Sequence, residues 1–227
     1  MRRENDDMHE LSDLGFGPFF EQQRQDNEQI LGRIAAEHRG GYEVWSCGGN
    51  GFARLAGRLA RDLDAEAFPG VGDWVSLRSR PGPDRTAVID GVLERRTAFV
   101  RGAAGRQVRG QVVAANVDVV FIVCGLDRDY NLHRIERYLA RIWASGAQPV
   151  VILNKADVCE EVEGRACEVE ASCPGVPVLA MSALLSQGLD PLRERIGRGV
   201  TAAFVGSSGA GKSTLVNRLL GEERMTT

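Results

Sequence analysis

The chain has 227 residues, a mass of 24.7 kDa, 43% apolar residues and a formal net charge of −3 at pH 7. This length holds one large or two small domains, and no apolar run approaches the ~20 residues that a membrane-spanning helix needs. The N-terminus lacks the apolar core of a signal peptide and the five cysteines form no CxxC pair, which argues against a membrane or disulfide-stabilised secreted protein and favours a reduced, cytoplasmic one.

The first 30 residues form an acidic segment with apolar anchors. They contain three basic and eight acidic residues, a net charge of −5. Their larger apolar side chains are Leu11, Leu14, Phe16, Phe19 and Phe20. We predict a disordered start, followed by a short arm or helix that packs on the next domain.

Residues 31–110 have the pattern of a small β domain. Short runs with alternating apolar residues recur, separated by clusters of glycine, proline and aspartate. These runs are residues 42–44, 52–55, 71–77 and 86–92. About five strands at this spacing predict a small barrel of the OB-fold type, which is a nucleic-acid-binding scaffold.

The same segment is basic within an acidic chain. It holds 13 arginines against nine acidic residues, a net charge of +4. The arginines near its end are Arg95, Arg96, Arg101, Arg106 and Arg109. We predict that the barrel binds RNA phosphates, with Arg95, Arg96 and Arg101 as candidate contacts. The alternative for any single arginine is an ordinary solvated side chain.

From residue 112 onwards, the pattern changes to alternating strands and helices. Apolar runs at residues 117–123, 149–153, 176–181 and 202–205 predict four buried strands. Helices are predicted at residues 132–145, 160–170, 189–196 and 214–220. Such alternation predicts an α/β domain with a parallel sheet covered by helices, in which ligands bind beyond the carboxyl ends of the strands.

A phosphate-binding loop follows the last predicted strand. Residues 206–213 are GSSGAGKS, which fits the pattern of glycine, four residues, then glycine-lysine-serine. In such a loop, backbone N–H groups and the positive end of the following helix surround phosphate oxygens. We predict that Lys212 reaches the β- and γ-phosphates and that Ser213 ligates Mg²⁺, which makes them the catalytic candidates. The predicted phosphate site comprises Gly206, Ser207, Ser208, Gly209, Ala210, Gly211, Lys212, Ser213 and Thr214.

Two shorter motifs follow the second and third predicted strands. Residues 154–157 are NKAD, which matches the guanine motif NKxD of GTPases. In this motif Asp157 accepts hydrogen bonds from guanine N1–H and N2–H₂, and the Lys155 stem lies along the base. Adenine lacks this donor pair, so the site should select GTP and GDP over adenine nucleotides. We expect Asn154 to tie this loop to the phosphate loop, and a backbone N–H of Ser182-Ala183 to contact guanine O6.

Lysine usage and motif order add to this interpretation. Of the 28 basic residues only two are lysines, Lys155 and Lys212, and each lies in one of the two longer motifs. A lysine supplies a compact point charge that the planar arginine fork does not. The guanine motif precedes the phosphate loop, whereas most GTPases have the opposite order. Because a site built from strand ends does not depend on chain order, we predict a circularly permuted GTPase domain.

Over nearly its whole length, the chain resembles the family of ribosome small-subunit-dependent GTPase A, or RsgA. The segments that carry the resemblance are DLGFGPFF, VGDWV, LERRTAFVRGAAGRQVRGQVVAANVDVVFIV, RIERYL, PVVILNKAD and VGSSGAGKSTLVNRLLG. The resemblance implies an N-terminal OB-fold, a permuted GTPase domain and a C-terminal zinc-binding helical domain. It also implies GTP hydrolysis stimulated by the 30S subunit, and a role in late 30S maturation near the decoding centre, with 16S rRNA as a partner.

The sequence departs from the family pattern at its end. It stops at Thr227, and Thr226 and Thr227 lie ahead of the switch I threonine that should complete the Mg²⁺ shell. The DxxG motif that senses the γ-phosphate is missing, and so is the zinc domain, so Zn²⁺ is not expected in this chain. We expect a fragment or truncated product of such a protein, with residues 202–205 at an exposed, apolar sheet edge.

Several interpretations stay open at this stage. The first is a GTPase that assists 30S assembly, as a cytoplasmic monomer without membrane association. The second is a non-hydrolysing module that binds rRNA and guanine nucleotide. The third is an ATPase, against which NKAD argues, and chance polar or glycine-rich turns are the alternatives to the motifs themselves. The expected segments are an arm at residues 1–30, an OB-fold domain at 31–110 and an incomplete GTPase domain at 111–227.

Overall fold

The computed structural model describes residues 10–47, 49–64, 66–101, 111–222 and 224–225. By its internal contacts the chain divides into two compact units. The barrel unit contains Met1–Val117 and Arg198–Thr201, and the sheet unit contains Asp118–Gly197 and Ala202–Thr227. The barrel unit extends past residue 110 because Gln111–Ala115 forms a strand that pairs with Ala98–Arg101. The bounds of the three segments expected from the sequence stay a prediction.

The barrel unit is built on five strands that close in the order β1-β2-β3-β5-β4. These strands are β1 Ile30–His38, β2 Gly41–Ser46, β3 Gly49–Leu55, β4 Trp74–Leu77 and β5 Ala87–Val92. Alternate side chains point inward and fill the barrel, and Val44, Val75 and Ile89 are fully buried there. The predicted small barrel is confirmed.

Strand β1 is the barrel strand that the apolar pattern did not indicate. Its pairing with β2 shifts register between Ile34 and Ala36. A bulge of this kind inserts an extra residue and breaks the two-residue alternation on which strand prediction depends. The predicted strand at residues 71–77 is shorter in the structure, because residues 71–73 lie outside β4.

An aromatic cluster joins the residues ahead of the barrel to β4. The short helix α1 Pro18–Glu21 carries Phe20, which is buried with Leu14 and Trp74. The ring of Phe16 meets Trp74 edge-on, with 4.8 Å between the centroids, a geometry that adds to the area that the rings bury. A second short helix, α2 Gly57–Asp62, follows β3. The predicted disordered start lies at residues outside those described.

A two-stranded hairpin completes the barrel unit. Its antiparallel strands are β6 Ala98–Arg101 and β7 Gln111–Ala115. Asn116 follows β7 with a φ of +55°, and its side chain is buried. Its Oδ1 accepts from Arg96 N at 2.8 Å, and its Nδ2 donates to Gly72 O at 3.1 Å. Arg106, Arg109 and the side chain of Arg101 lie outside the described residues.

The sheet unit contains a four-stranded parallel sheet in the order β10-β9-β8-β11. Its strands are β8 Val119–Gly125, β9 Gln148–Asn154, β10 Val178–Ala180 and β11 Ala202–Val205. All seven residues of β8 are buried, as expected for a central parallel strand. Strand β11 lies at one edge of the described sheet, and its four residues are half-buried. The predicted parallel sheet is confirmed.

Four helices accompany these strands, with ends that differ from the prediction by no more than two residues. They are α3 Leu132–Ser145, α4 Val162–Ser172, α5 Asp190–Arg195 and α6 Lys212–Leu220. Local signals set the ends of α3, since the Asn131 side chain caps its start and Gly146, with φ +85°, ends it. Gly221 ends α6 in the same left-handed conformation. None of the helices within the described ranges is long and apolar enough to span a lipid bilayer.

Candidate nucleotide-binding site

Three motif loops meet at the carboxyl edge of the parallel sheet. The phosphate loop, residues 206–211, leads from β11 into α6. The NKAD loop begins at the last residue of β9, and Ser182-Ala183 follows β10. Since parallel strands end at the same edge, loops that are distant in sequence become neighbours in the fold.

Asn154 joins these three loops. Its side chain is 2% exposed. Its Nδ2 donates to Ala210 O in the phosphate loop at 2.9 Å, and its Oδ1 accepts from Ala183 N at 2.9 Å. The predicted tie between Asn154 and the phosphate loop is therefore present, and the link to Ala183 is an addition that the sequence did not indicate. A buried amide with both ends satisfied holds its neighbours in one arrangement.

Two glycines of the phosphate loop have conformations and surroundings that exclude a side chain. Gly206 has φ +148° and Gly211 has φ +97°. A methyl group on Gly206 would overlap the carbonyl oxygen of Val123, and one on Gly211 would overlap the Asn154 amide nitrogen. Glycine alone permits this close approach of backbone to its neighbours. The spacing of the motif thus follows from contacts with β8 and with Asn154.

Lys212 lies across the phosphate loop in the structure. Its Nζ donates to Gly206 O at 3.0 Å and to Ser207 O at 2.5 Å. The ammonium group therefore sits beside the loop backbone at the first residue of α6, where the helix dipole also favours an anion. A phosphate oxygen bound here would replace these carbonyl oxygens as the hydrogen-bond acceptor of Lys212 Nζ.

Ser213 supplies an oxygen donor in the first turn of α6. Its side chain is half-buried next to Lys212, and a hydroxyl is the kind of hard oxygen ligand that Mg²⁺ accepts. Ser208 and Gly209 at the tip of the loop are exposed, so the cradle opens to solvent. The residues present therefore fit a Mg²⁺-bound phosphate group.

The NKAD loop presents a lysine paired to a carboxylate. Lys155 has a left-handed backbone, with φ +65°. Its Nζ lies 2.6 Å from Asp127 Oδ2, in the loop that follows β8, and both side chains are about one-third exposed. The hydrogen bond from Lys155 lowers the pKa of Asp127 below its ordinary value. Asp157 is exposed in the short 3₁₀ turn Ala156–Val158.

A second carboxylate of the loop that follows β8 contacts the phosphate loop. Asp129 Oδ2 accepts from the Ser207 hydroxyl, and Asp129 Oδ1 pairs with Arg134 Nη1 of α3 at 2.7 Å. Burial alone would raise the pKa of Asp129, but the hydrogen bonds from Ser207 and Arg134 outweigh it, so the pKa is lowered. Both carboxylates thus favour the charged form.

Comparison with known proteins decides the family. A family model described as RsgA GTPase matches residues 92–227, which is more than half of the chain.

The chain belongs to the RsgA GTPase family.

Curated RsgA proteins match nearly all of this chain. It is 46% identical over 228 residues to the small ribosomal subunit biogenesis GTPase RsgA of Opitutus terrae, covering 96% of this chain and 62% of that protein. It is 44% identical over 204 residues to the small ribosomal subunit biogenesis GTPase RsgA 2 of Lactiplantibacillus plantarum, covering 89% of this chain and 57% of that protein. The chain therefore spans less than two thirds of the length of these relatives.

Solved structures match the fold. YjeQ from Thermotoga maritima aligns with a TM-score of 0.68 at 25% identity, covering 84% of this chain and 65% of that one. YloQ, described as a circularly permuted GTPase, aligns with a TM-score of 0.62 at 22% identity, covering 86% and 65%. This chain thus contains a five-stranded barrel followed in sequence by the parallel sheet of a circularly permuted GTPase domain.

The arginines predicted to contact RNA differ in their surroundings. Arg95 donates from Nη2 to buried Asp73 at 2.7 Å, and from Nη1 and Nη2 to the carbonyls of Glu66 and Phe68 at 2.6 and 2.7 Å. Each nitrogen of its guanidinium meets a protein oxygen. Arg96 is exposed, with its guanidinium 6.0 Å from the Phe20 ring centroid. The contacts of Arg95 are those of a structural residue, and RNA contact by any of these arginines stays a prediction.

Sequence reasoning missed Asp127 and Asp129. They belong to none of the nucleotide motifs identified in the sequence, and their partners lie 28 and 78 positions away in the chain. Their one sequence signal is their place just beyond the end of a predicted strand, where ligands of parallel sheets are bound.

Proposed function

We propose that this chain carries the guanine-nucleotide-binding and RNA-binding parts of a GTPase that acts in late maturation of the 30S ribosomal subunit. The complete protein would hydrolyse GTP to GDP and phosphate, as a cytoplasmic monomer. The observation that carries the nucleotide part is the Asn154 side chain, which holds the guanine motif, the phosphate loop and the Ser182-Ala183 loop together. The names of the relatives support the ribosomal role.

On the base side, Asp157 accepts from guanine N1–H and N2–H₂. Its exposed position in the turn after β9 leaves the carboxylate available to a ligand, and a charge-assisted bidentate pair is strong and specific. Lys155 lies along the base. Guanine O6 would compete with Asn154 Oδ1 for the N–H of Ala183, because that N–H already donates to Asn154.

On the phosphate side, the backbone N–H groups of residues 206–214 surround the β-phosphate. Lys212 would exchange the loop carbonyls for the β- and γ-phosphate oxygens, and Ser213 would hold Mg²⁺ through its hydroxyl. Bound Mg²⁺ would neutralise charge on the phosphate oxygens. The chain's own residues position the phosphates and concentrate positive charge where negative charge develops during transfer.

RNA binding is proposed for the barrel unit, with Arg96 and Arg101 preferred over Arg95, whose guanidinium is held by protein oxygens. The support is the net charge of +4 in residues 31–110 within a chain of net charge −3, together with a barrel of the OB type, which commonly binds nucleic acid. The partners on this proposal are the 30S subunit and its 16S rRNA.

Single-turnover hydrolysis of GTP with and without 30S subunits tests the proposal. A rate that 30S subunits increase supports the GTPase. The second candidate is a non-hydrolysing module that binds rRNA and guanine nucleotide. Tight GDP binding without any hydrolysis in either condition identifies that module, and preference for ADP over GDP rejects both.

A further inference from the structure

The loop between β8 and α3 contacts both nucleotide motifs. We name residues 126–131 the carboxylate loop. Its Leu126 N–H donates to Asn154 O at 2.7 Å, so the backbone of this loop is hydrogen-bonded to the guanine motif. Its two aspartates then diverge, with Asp127 on Lys155 and Asp129 on Ser207.

The Asp127 pair controls where the Lys155 stem points. Lysine has a long flexible side chain with four rotatable bonds, and ordering it has a large entropic cost. An anchor at the ammonium end removes that freedom before a ligand arrives. The left-handed backbone of Lys155 sets the position of its Cβ, and Asp127 sets the position of its ammonium group.

The Asp129 contact controls the second residue of the phosphate loop. Asp129 is itself held by Arg134 Nη1 at 2.7 Å and Arg134 Nη2 donates to Asp129 O at 3.3 Å. Arg134 is part of α3, whose start is capped by Asn131. The hydroxyl of Ser207 is thus tied to a helix, and the loop backbone that should surround phosphate is tied with it.

We propose that Asp127 and Asp129 are positioning residues for the guanine nucleotide, with Asp127 acting through Lys155 on the base and Asp129 acting through Ser207 on the phosphate loop. This inference rests on the proposed function. It gives the carboxylate loop a role in nucleotide binding that the three sequence motifs do not include. Pre-organisation raises affinity by reducing the ordering that binding requires.

A merely structural role for these pairs predicts a different result. The Asp127–Lys155 pair is about one-third exposed on both sides, and such pairs contribute little to folding. A structural pair would change the unfolding midpoint and leave nucleotide affinity alone. A positioning pair does the reverse, so the two measurements separate the roles.

The test is a pair of double-mutant cycles on GDP affinity in Mg²⁺ buffer, each with the urea midpoint measured alongside. In the first cycle, Asp127→Asn should weaken GDP binding about threefold in the wild-type background. It should cause no further loss in Lys155→Met, which keeps the apolar stem. In the second cycle, Asp129→Asn should weaken binding about tenfold. In Ser207→Ala the same change should weaken it less than about twofold. Asp190→Asn is the matched control, since Asp190 pairs with Arg193 on the surface of α5.

Non-additive affinities with unchanged midpoints support the proposal. Additive losses in both cycles overturn it, and so do affinities that match the wild type while the midpoint falls. If the wild-type chain binds no GDP, the proposed function fails and the inference fails with it. If the wild type binds GDP and the aspartate variants bind equally well, the inference alone fails.

Discussion

The barrel unit and the sheet unit each contain an aspartate paired with a distant cation, and the two pairs differ in burial. In the barrel unit, Asp73 is fully buried and Arg95 is 17% exposed, with three further carbonyl or N–H contacts around the pair. In the sheet unit, Asp127 and Lys155 are 33% and 31% exposed. The first pair is therefore much less accessible to a ligand than the second.

The comparison shows that charge and sequence position do not define a binding residue. Arg95 lies in the most basic segment of the chain, yet each nitrogen of its guanidinium donates to a protein oxygen. Lys155 lies in a segment without a basic excess, yet its side chain is about one-third exposed beside Asp127. The number of protein partners and the solvent exposure decide which cation remains available to a ligand.

The largest expected effect concerns the guanine motif of the sheet unit. Asp157→Asn turns an acceptor into a donor that clashes with guanine N1–H and suits xanthine. Sites built on polar pairing reject the wrong partner by roughly 10⁴-fold, so preference should move from GDP to XDP. Competition binding measures the ratio, with Asp190→Asn as the control. Unchanged GDP affinity would refute the assignment of the guanine motif.

Breaking the Arg95–Asp73 pair of the barrel unit should lower the free energy of unfolding. Arg95→Ala leaves Asp73 as an uncompensated buried charge, and breaking a buried pair in this way destabilises by about 3–5 kcal/mol. The urea unfolding midpoint of the barrel unit should fall accordingly. Replacing both partners, as Arg95→Met with Asp73→Leu, should recover much of the loss. A single variant as stable as the wild type would contradict the structural assignment of Arg95.

The phosphate loop should lose function without losing its fold. Lys212→Ala removes a half-buried ammonium group that donates to the carbonyls of Gly206 and Ser207, and loss of one such stabilising donor lowers rates by about 10²- to 10³-fold. Single-turnover hydrolysis with 30S subunits and GTP affinity measure the effect, and circular dichroism checks the fold. Lys212→Arg should also fail, because a planar fork does not fit the cradle. Equal hydrolysis by wild type and Lys212→Ala would exclude this phosphate site.

The smallest expected effect concerns RNA. Arg96→Ala should lower the slope of log affinity against log salt for 16S rRNA by roughly 0.7 to 0.9, the value for one phosphate contact. Nucleotide affinity should stay unchanged. The matched control is Arg58→Ala, since Arg58 is 90% exposed and pairs only weakly with Asp62 on α2 at 3.7 Å. An equal slope for Arg96→Ala and wild type would place the RNA surface elsewhere on the barrel.

Elements with local signals were predictable. The bounds of α3 match the apolar period because the Asn131 cap and Gly146 lie next to the helix in the sequence. Strand β1 was not, because its bulge at Ile34–Ala36 breaks the alternation. The hairpin of β6 and β7 was also missed, since its strands AFVR and QVVAA are short and do not alternate apolar with polar residues.

The sequence by itself determined the residues of the three nucleotide motifs, the strand-helix alternation and the permuted motif order, because each is a short pattern with its own spacing. Tertiary structure alone decided which charged side chains meet. Asp127 and Lys155 are 28 positions apart, and Arg95 and Asp73 are 22 apart. No local pattern encodes such a pairing, since burial and partners arise only when separate strands end side by side.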